Sequence, residues 1–147
     1  MVLKMEIEQA LTQLQDAHDT KERLAALTKL LDGVEGVSGA IKLEHVADSI
    51  QAVAPFLKDN NFKIVQTVLS TLTALTRTNG AECRSFLGVF LPPVLERLGD
   101  SKVMVRKAAV ELLVALSEEI SLPAVLDRYC SLRGLSLRYV ICVRNLA

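Results

Sequence analysis

The strongest constraint in this 147-residue sequence is a segment that occurs twice, 41 residues apart. Leu57-Lys58-Asp59-Asn60-Asn61 through Leu75 aligns without a gap on Leu98-Gly99-Asp100-Ser101-Lys102 through Leu116. Leu57/Leu98, Asp59/Asp100, Leu72/Leu113, Ala74/Ala115 and Leu75/Leu116 are identical, and Ile64/Val105 and Leu69/Val110 are similar. In each copy a short polar turn precedes a run whose apolar residues return every three or four positions, the spacing of a helix with one buried face. A weaker copy lies about one period earlier, with Asp19 to Leu31 supplying its second helix.

A period of about 40–47 residues holding two helices is that of HEAT and armadillo arrays. One helical hairpin cannot bury its apolar stripe alone, so hairpins stack into a continuous core. The fold class is therefore all-α, an α-solenoid of about three helical hairpins within residues 2–120 plus a short C-terminal segment. Aromatic residues are only 4 % and tryptophan is absent, which disfavours a β-sandwich.

Apolar stripes place the helices. Leu3, Ile7, Ala10, Leu11 and Leu14 form the first, and Asp19 with Glu22 has capping-box spacing before Leu24, Leu27 and Leu31. Gly33, Gly36 and Gly39 read as a loop. Leu43, Val46, Ile50, Val53 and Leu57 make a third stripe, with Pro55 a kink near its end. Asn60 is expected to cap a fourth helix bearing Ile64, Val68, Leu72 and Leu75, and Asn79-Gly80 to mark a turn. A fifth helix runs to about Leu98, disturbed by Pro92-Pro93. Ser101 is expected to cap a sixth with Val105, Ala109, Leu112 and Leu116, and Ser121 to open a seventh. Leu27, Leu31, Ile50, Leu72, Leu75, Leu112 and Leu116 are expected to be buried.

Charge divides the chain unevenly. Residues 1–127 carry 13 basic and 17 acidic side chains, whereas the last twenty carry Arg128, Arg133, Arg138 and Arg144 and no acid. The overall balance is zero, which argues against a nucleic-acid partner. No uncharged apolar run approaches the roughly 20 residues of a membrane span, and Lys4, Glu6 and Glu8 stand where a signal peptide needs an apolar core. Cys83, Cys130 and Cys142 lack paired spacing and fit core thiols in a reducing cytosol.

Catalysis is not indicated. His18 and His45 lie in different units and read as solvated, His45 on the polar side of its helix. No metal-binding spacing, phosphate loop or nucleophile elbow occurs, and no cofactor is expected. Glu118-Glu119 adjoins a helix end, where a solvated charge pair is expected rather than a catalytic dyad.

What remains is surface. In such an array the turns inside the hairpins fall along one edge. Each turn here carries a lysine near the start of the second helix: Lys21, Lys63 and Lys102. A lysine there opposes the helix dipole by a few tenths of a kcal/mol, so nothing local rewards it. An acidic partner would.

The turns also carry a resemblance. Asp-Thr-Lys-Glu-Arg-Leu at 19–24, Leu-Lys-Asp-Asn-Asn-Phe-Lys at 57–63, and Leu-Glu-Arg-Leu-Gly-Asp-Ser-Lys at 95–102 with Val105-Arg106 resemble the first TOG domain of the CLASP family, its plant members in particular. The match runs from about residue 8 to about Tyr129. The resemblance implies a paddle of HEAT units that binds tubulin along its turn edge, in proteins that stabilise microtubules at plus ends, the cell cortex and the spindle. It implies Thr20 and Lys21 from the first turn, Asn61 and Lys63 from the second, and Lys102 and Arg106 from the third as tubulin-binding residues. It implies a cytoplasmic, cytoskeletal location.

Two departures stand out. Polymerase-type TOG domains place a tryptophan in the first turn, roughly where Thr20 stands, and this chain has none. A full domain needs six units, whereas residues 1–129 hold three and the start of the next. Residues 130–147 read as a divergent basic tail, either a shortened product's end or a divergent cap. A generic HEAT scaffold using its concave groove is the alternative function.

Overall fold

The computed structural model describes residues 2–37, 39 and 41–120. Seven α-helices and one 3-10 turn occupy them: α1 (Val2–Asp16), α2 (Thr20–Glu35), α3 (Leu43–Val53), the 3-10 turn (Ala54–Lys58), α4 (Phe62–Thr78), α5 (Gly80–Arg84), α6 (Leu87–Arg97) and α7 (Val103–Ile120). No strand occurs among the described residues. The seventh helix expected from Ser121 and the tail at 130–147 lie outside them.

The helices pair as the repeat requires. α1 packs on α2, α3 with its 3-10 extension on α4, and α6 on α7. The second helices form one layer, α2–α4–α7, with α4 in the middle. The first helices form the other, α1 touching α3 and α6 touching the 3-10 turn. α4 and α7 begin 41 residues apart, so the sequence period is the structural one. Between the layers lies one apolar cluster that includes Ile7, Leu27, Leu30, Ile50, Leu57, Leu69, Leu72, Leu75, Phe90, Leu91 and Leu112.

Departures from the stripes have local causes. Leu30, not Leu31, points into the core, and Leu31 is half-buried. Leu43 is 58 % exposed, because it opens α3 before that helix is covered. Gly33 does not end α2, which runs on to Glu35. A glycine inside a helix costs about 1 kcal/mol relative to alanine, but here it admits α1: a Cβ on Gly33 would stand 3.4 Å from Ile7 Cγ1. Gly39, at φ 123°, is where the loop uses glycine's freedom.

Pro92 and Pro93 sit inside α6 without ending it. The carbonyls they leave without an N–H partner belong to Gly88 and Val89, both exposed, so water can satisfy them. Pro55 falls in the first turn of the 3-10 segment, where a missing N–H is tolerated. Asn79 closes α4, as a turn residue should, but its buried side chain has a second function. Its Oδ1 accepts from Ile41 N–H at 3.1 Å and its Nδ2 donates to the Ile41 carbonyl at 2.7 Å. One amide thus satisfies both backbone groups of a buried residue in the α2–α3 connection.

His45 overturns its expectation. It is buried, with Nε2 3.6 Å from Glu44 and 3.9 Å from Glu8. α1 packs across α3 and covers what the sequence alone presents as the polar side. His18 is exposed, as expected.

Candidate functional site

The three inner turns share an edge of the molecule, and each is built by an aspartate. Asp19 caps α2, its side chain accepting from Glu22 N–H at 2.7 Å, while Glu22 reaches back to His18 N–H at 2.9 Å. This reciprocal pair fixes the first turn and leaves Thr20 and Lys21 exposed at the start of α2.

The second and third turns use one device. Asp59 Oδ1 accepts from Asn61 N–H and Asp100 Oδ1 from Lys102 N–H, both at 2.8 Å. These are Asx turns, in which a side chain replaces a backbone turn bond. In the second turn Asn61 then caps α4, its Oδ1 accepting from Lys63 N–H at 3.0 Å. Asn61 therefore takes the cap expected of Asn60, one residue along. In the third turn no cap bond is made by Ser101. The Lys102 N–H goes to the Asp100 carboxylate instead.

Arg97 joins these two turns. Its Nε donates to the Leu57 carbonyl at 2.6 Å, its Nη2 to the Asp59 carbonyl at 3.1 Å, and its Nη1 to the Asp100 carboxylate at 2.7 Å. The sequence marks this residue only as an arginine three places before the turn aspartate. Arg106 is half-buried, and its Nη1 donates to the carbonyls of Asp100 at 2.7 Å and Ser101 at 3.1 Å. Part of its donor fork is spent on holding the turn.

Lys63 and Lys102 are exposed. The Lys102 ammonium lies over the Phe62 ring, 5.5 Å from its centroid, which leans it toward the start of α4. Thr20 and Asn61 line one hollow of about 790 Å³, together with Arg23, Phe56, Lys58 and Asn60. The structure thus brings Thr20 near Asn61, and Lys102 near the residue before Lys63, along one edge.

Arg97, Arg106 and above all the Lys102 amide favour the Asp100 carboxylate, and together they hold its pKa below the ordinary 3.8. A group whose folded pKa is depressed stabilises the fold above its unfolded pKa and loses that effect as pH falls through the folded value. Asp100→Asn should therefore be less stable than the parent by about 1.5–3 kcal/mol at pH 7, the usual range for a charge-assisted bond. The gap should narrow below pH 3.8. Urea denaturation of both proteins at two pH values checks this, and a pH-independent gap would assign the effect elsewhere.

Other chemistry is sparse. Cys83 is buried, and burial raises its thiol to about 11, which leaves it protonated and unreactive at neutral pH. Cys130 and Cys142 lie outside the described residues. Glu118 and Glu119 face Arg77 across α4 and α7, Glu118 in a short ion pair and Glu119 at 3.9 Å. Among the described residues no group of three or more His, Cys, Asp or Glu could hold a metal ion. No described helix is long and apolar enough to cross a membrane. The groove across α2, α4 and α7, lined by Glu35, Ser70, Thr73, Ala74, Arg77 and Glu111 among others, offers small polar and charged side chains and no aromatic anchor.

Comparison with known proteins agrees with this architecture. The HEAT repeat family matches residues 90–120. The chain is 35 % identical over 122 residues to the CLIP-associated protein of Arabidopsis thaliana, a match covering 83 % of this chain and 8 % of that protein. It is 34 % identical over 114 residues to Protein mini spindles of Drosophila melanogaster (78 % of this chain, 6 % of that one) and 31 % over 114 residues to Protein CLASP-1 of Caenorhabditis elegans (76 % and 8 %). It therefore spans under a tenth of these relatives. In three dimensions it is similar to the crystal structure of the MAST/Orbit N-terminal domain, with TM-score 0.70 and 26 % identity over 83 % of this chain and 54 % of that one. By sequence the chain is similar to CLASP proteins, and by fold to the N-terminal domain of MAST/Orbit.

Proposed function

We propose that the chain is a non-enzymatic, microtubule-associated module that engages tubulin through the turn edge of its HEAT units, in the cytoplasm and on the cytoskeleton. Thr20, Lys21, Asn61, Lys63, Lys102 and Arg106 are the contacting residues in this reading, with Arg106 serving partly to shape the third turn. The similarity to CLASP proteins and to the MAST/Orbit N-terminal domain supports the module. The observation that carries the edge is the row of exposed lysines, Lys21, Lys63 and Lys102, at the starts of α2, α4 and α7. Each opposes a helix dipole, and an acidic surface such as tubulin's gives the row a purpose. The groove of the second-helix layer has no aromatic side chain in its lining to anchor a peptide.

An exposed ion pair contributes about 0.2–1 kcal/mol, so three lysines should give weak binding, about micromolar or poorer. The attraction should fall steeply with salt. Co-sedimentation of the full chain with microtubules at rising ionic strength tests this. Binding that is lost between low and physiological salt is expected, and binding indifferent to salt would remove the electrostatic edge.

A further inference from the structure

We propose that Arg97 is the positioning residue of the turn edge, a strut that makes the second and third turns one rigid pair. The proposal rests on the reading that this edge meets the partner. A guanidinium has five N–H donors in a fixed plane, and no other side chain can serve three acceptors in that arrangement. Here the acceptors are two carbonyls of the second turn, Leu57 and Asp59, and the carboxylate of the third, Asp100. Arg97 is 23 % and Asp100 13 % exposed, so these bonds are largely shielded from water.

Both bridged aspartates act twice. Asp59 gives its carbonyl to Arg97 and its carboxylate to Asn61 N–H; Asp100 gives its carboxylate to Arg97 and to Lys102 N–H. Arg97 therefore touches both residues that set the backbone leading into Lys63 and Lys102. Lys102 over Phe62 adds a second link between the same two turns.

The first pair of turns is built differently. The hollow of about 790 Å³ separates them, and no hydrogen bond or ion pair crosses it among the described residues. One period before Arg97 stands Phe56, which lines that hollow and has no donor to offer. The edge is thus a fixed pair of turns beside a looser one. A pair of lysines already held in place loses less freedom on binding than two that must be ordered.

The test uses the full chain with Arg97→Met, which keeps the stem and removes every donor, and Arg97→Lys. Amide hydrogen exchange at Asn61 and Lys102 should quicken by about tenfold in Arg97→Met, with amides in the middle of α2 unchanged, since only a local opening is eased. Affinity for microtubules should fall roughly fivefold, and Arg97→Lys should recover part of both effects, because an ammonium can replace one bond but not the fork. On a Lys102→Gln background, Arg97→Met should cost less affinity than on the parent, as expected of a residue that acts through Lys102. Exchange that rises equally across α2 and α7 would make Arg97 a general stabiliser and overturn the proposal. Unchanged binding by Arg97→Met, beside lost binding by Lys63→Glu/Lys102→Glu, would refute the strut alone. Parental binding by the lysine double variant would refute the tubulin edge instead.

Discussion

Leu72→Ala is expected to destabilise the protein by about 2–5 kcal/mol, a large share of what a domain of this size possesses. Leu72 is 1 % exposed and sits on α4, the middle helix of its layer, which packs against both α2 and α7. In a repeat array stability is a sum of unit and neighbour terms, and a central helix enters two neighbour terms where an end helix enters one. The cavity should therefore weaken both interfaces at once. Leu43→Ala removes the same atoms from a site 58 % exposed on α3 and should shift stability by less than about 0.5 kcal/mol. Urea unfolding followed by circular dichroism checks the pair. A lower midpoint with unchanged slope is expected for Leu72→Ala alone, and equal shifts for both would mean that α4 is not the centre of the core.

Legibility followed the physics of each feature. Helical spacing and a 41-residue self-match depend on local sequence, and they located the hairpins and most buried leucines. The start of α2 was equally local, since Asp19 and Glu22 are three residues apart and bond each other's end of the turn. Where the competing choices were adjacent, reading slipped by one, as with Asn60 for Asn61 and Leu31 for Leu30. Features set by distant segments did not show. Gly33 looked like a break because glycine weakens a helix, and only Ile7 on another helix explains why α2 continues. His45 looked solvated until α1 lay across it. Asn79 looked like a plain turn residue, and its partner Ile41 is 38 positions away.

The site divided in the same way. The turns and their exposed lysines could be read from phase within the repeat. Arg97 could not, because the preceding copy has Phe56 at that position and so gave no second instance to recognise. Arg106 is implied as a contact residue by the resemblance alone, and its sequence gives no sign that its Nη1 also holds two carbonyls of its own turn.

The lysine reversals carry the second large effect. Lys63→Glu and Lys102→Glu together replace two attractive charges with two repulsive ones on the pair of turns that Arg97 joins. With each exposed contact contributing only about 0.2–1 kcal/mol, little attraction survives such a change. Stability should hardly move, because neither side chain is in the core. The loss of the Lys102–Phe62 contact amounts to about 0.5–1 kcal/mol at an exposed site. The tail must be controlled for, since Arg133 and Arg138 belong to a segment with four arginines and no acid, and such a segment can bind an acidic polymer nonspecifically. The decisive measurement is microtubule co-sedimentation at low salt of three forms of the 147-residue chain: the parent, Lys63→Glu/Lys102→Glu, and Arg133→Glu/Arg138→Glu. The account predicts that the turn variant stays in the supernatant with an unchanged helical spectrum while the tail variant pellets with the parent. Loss of binding by the tail variant, with the turn variant still pelleting, would contradict it.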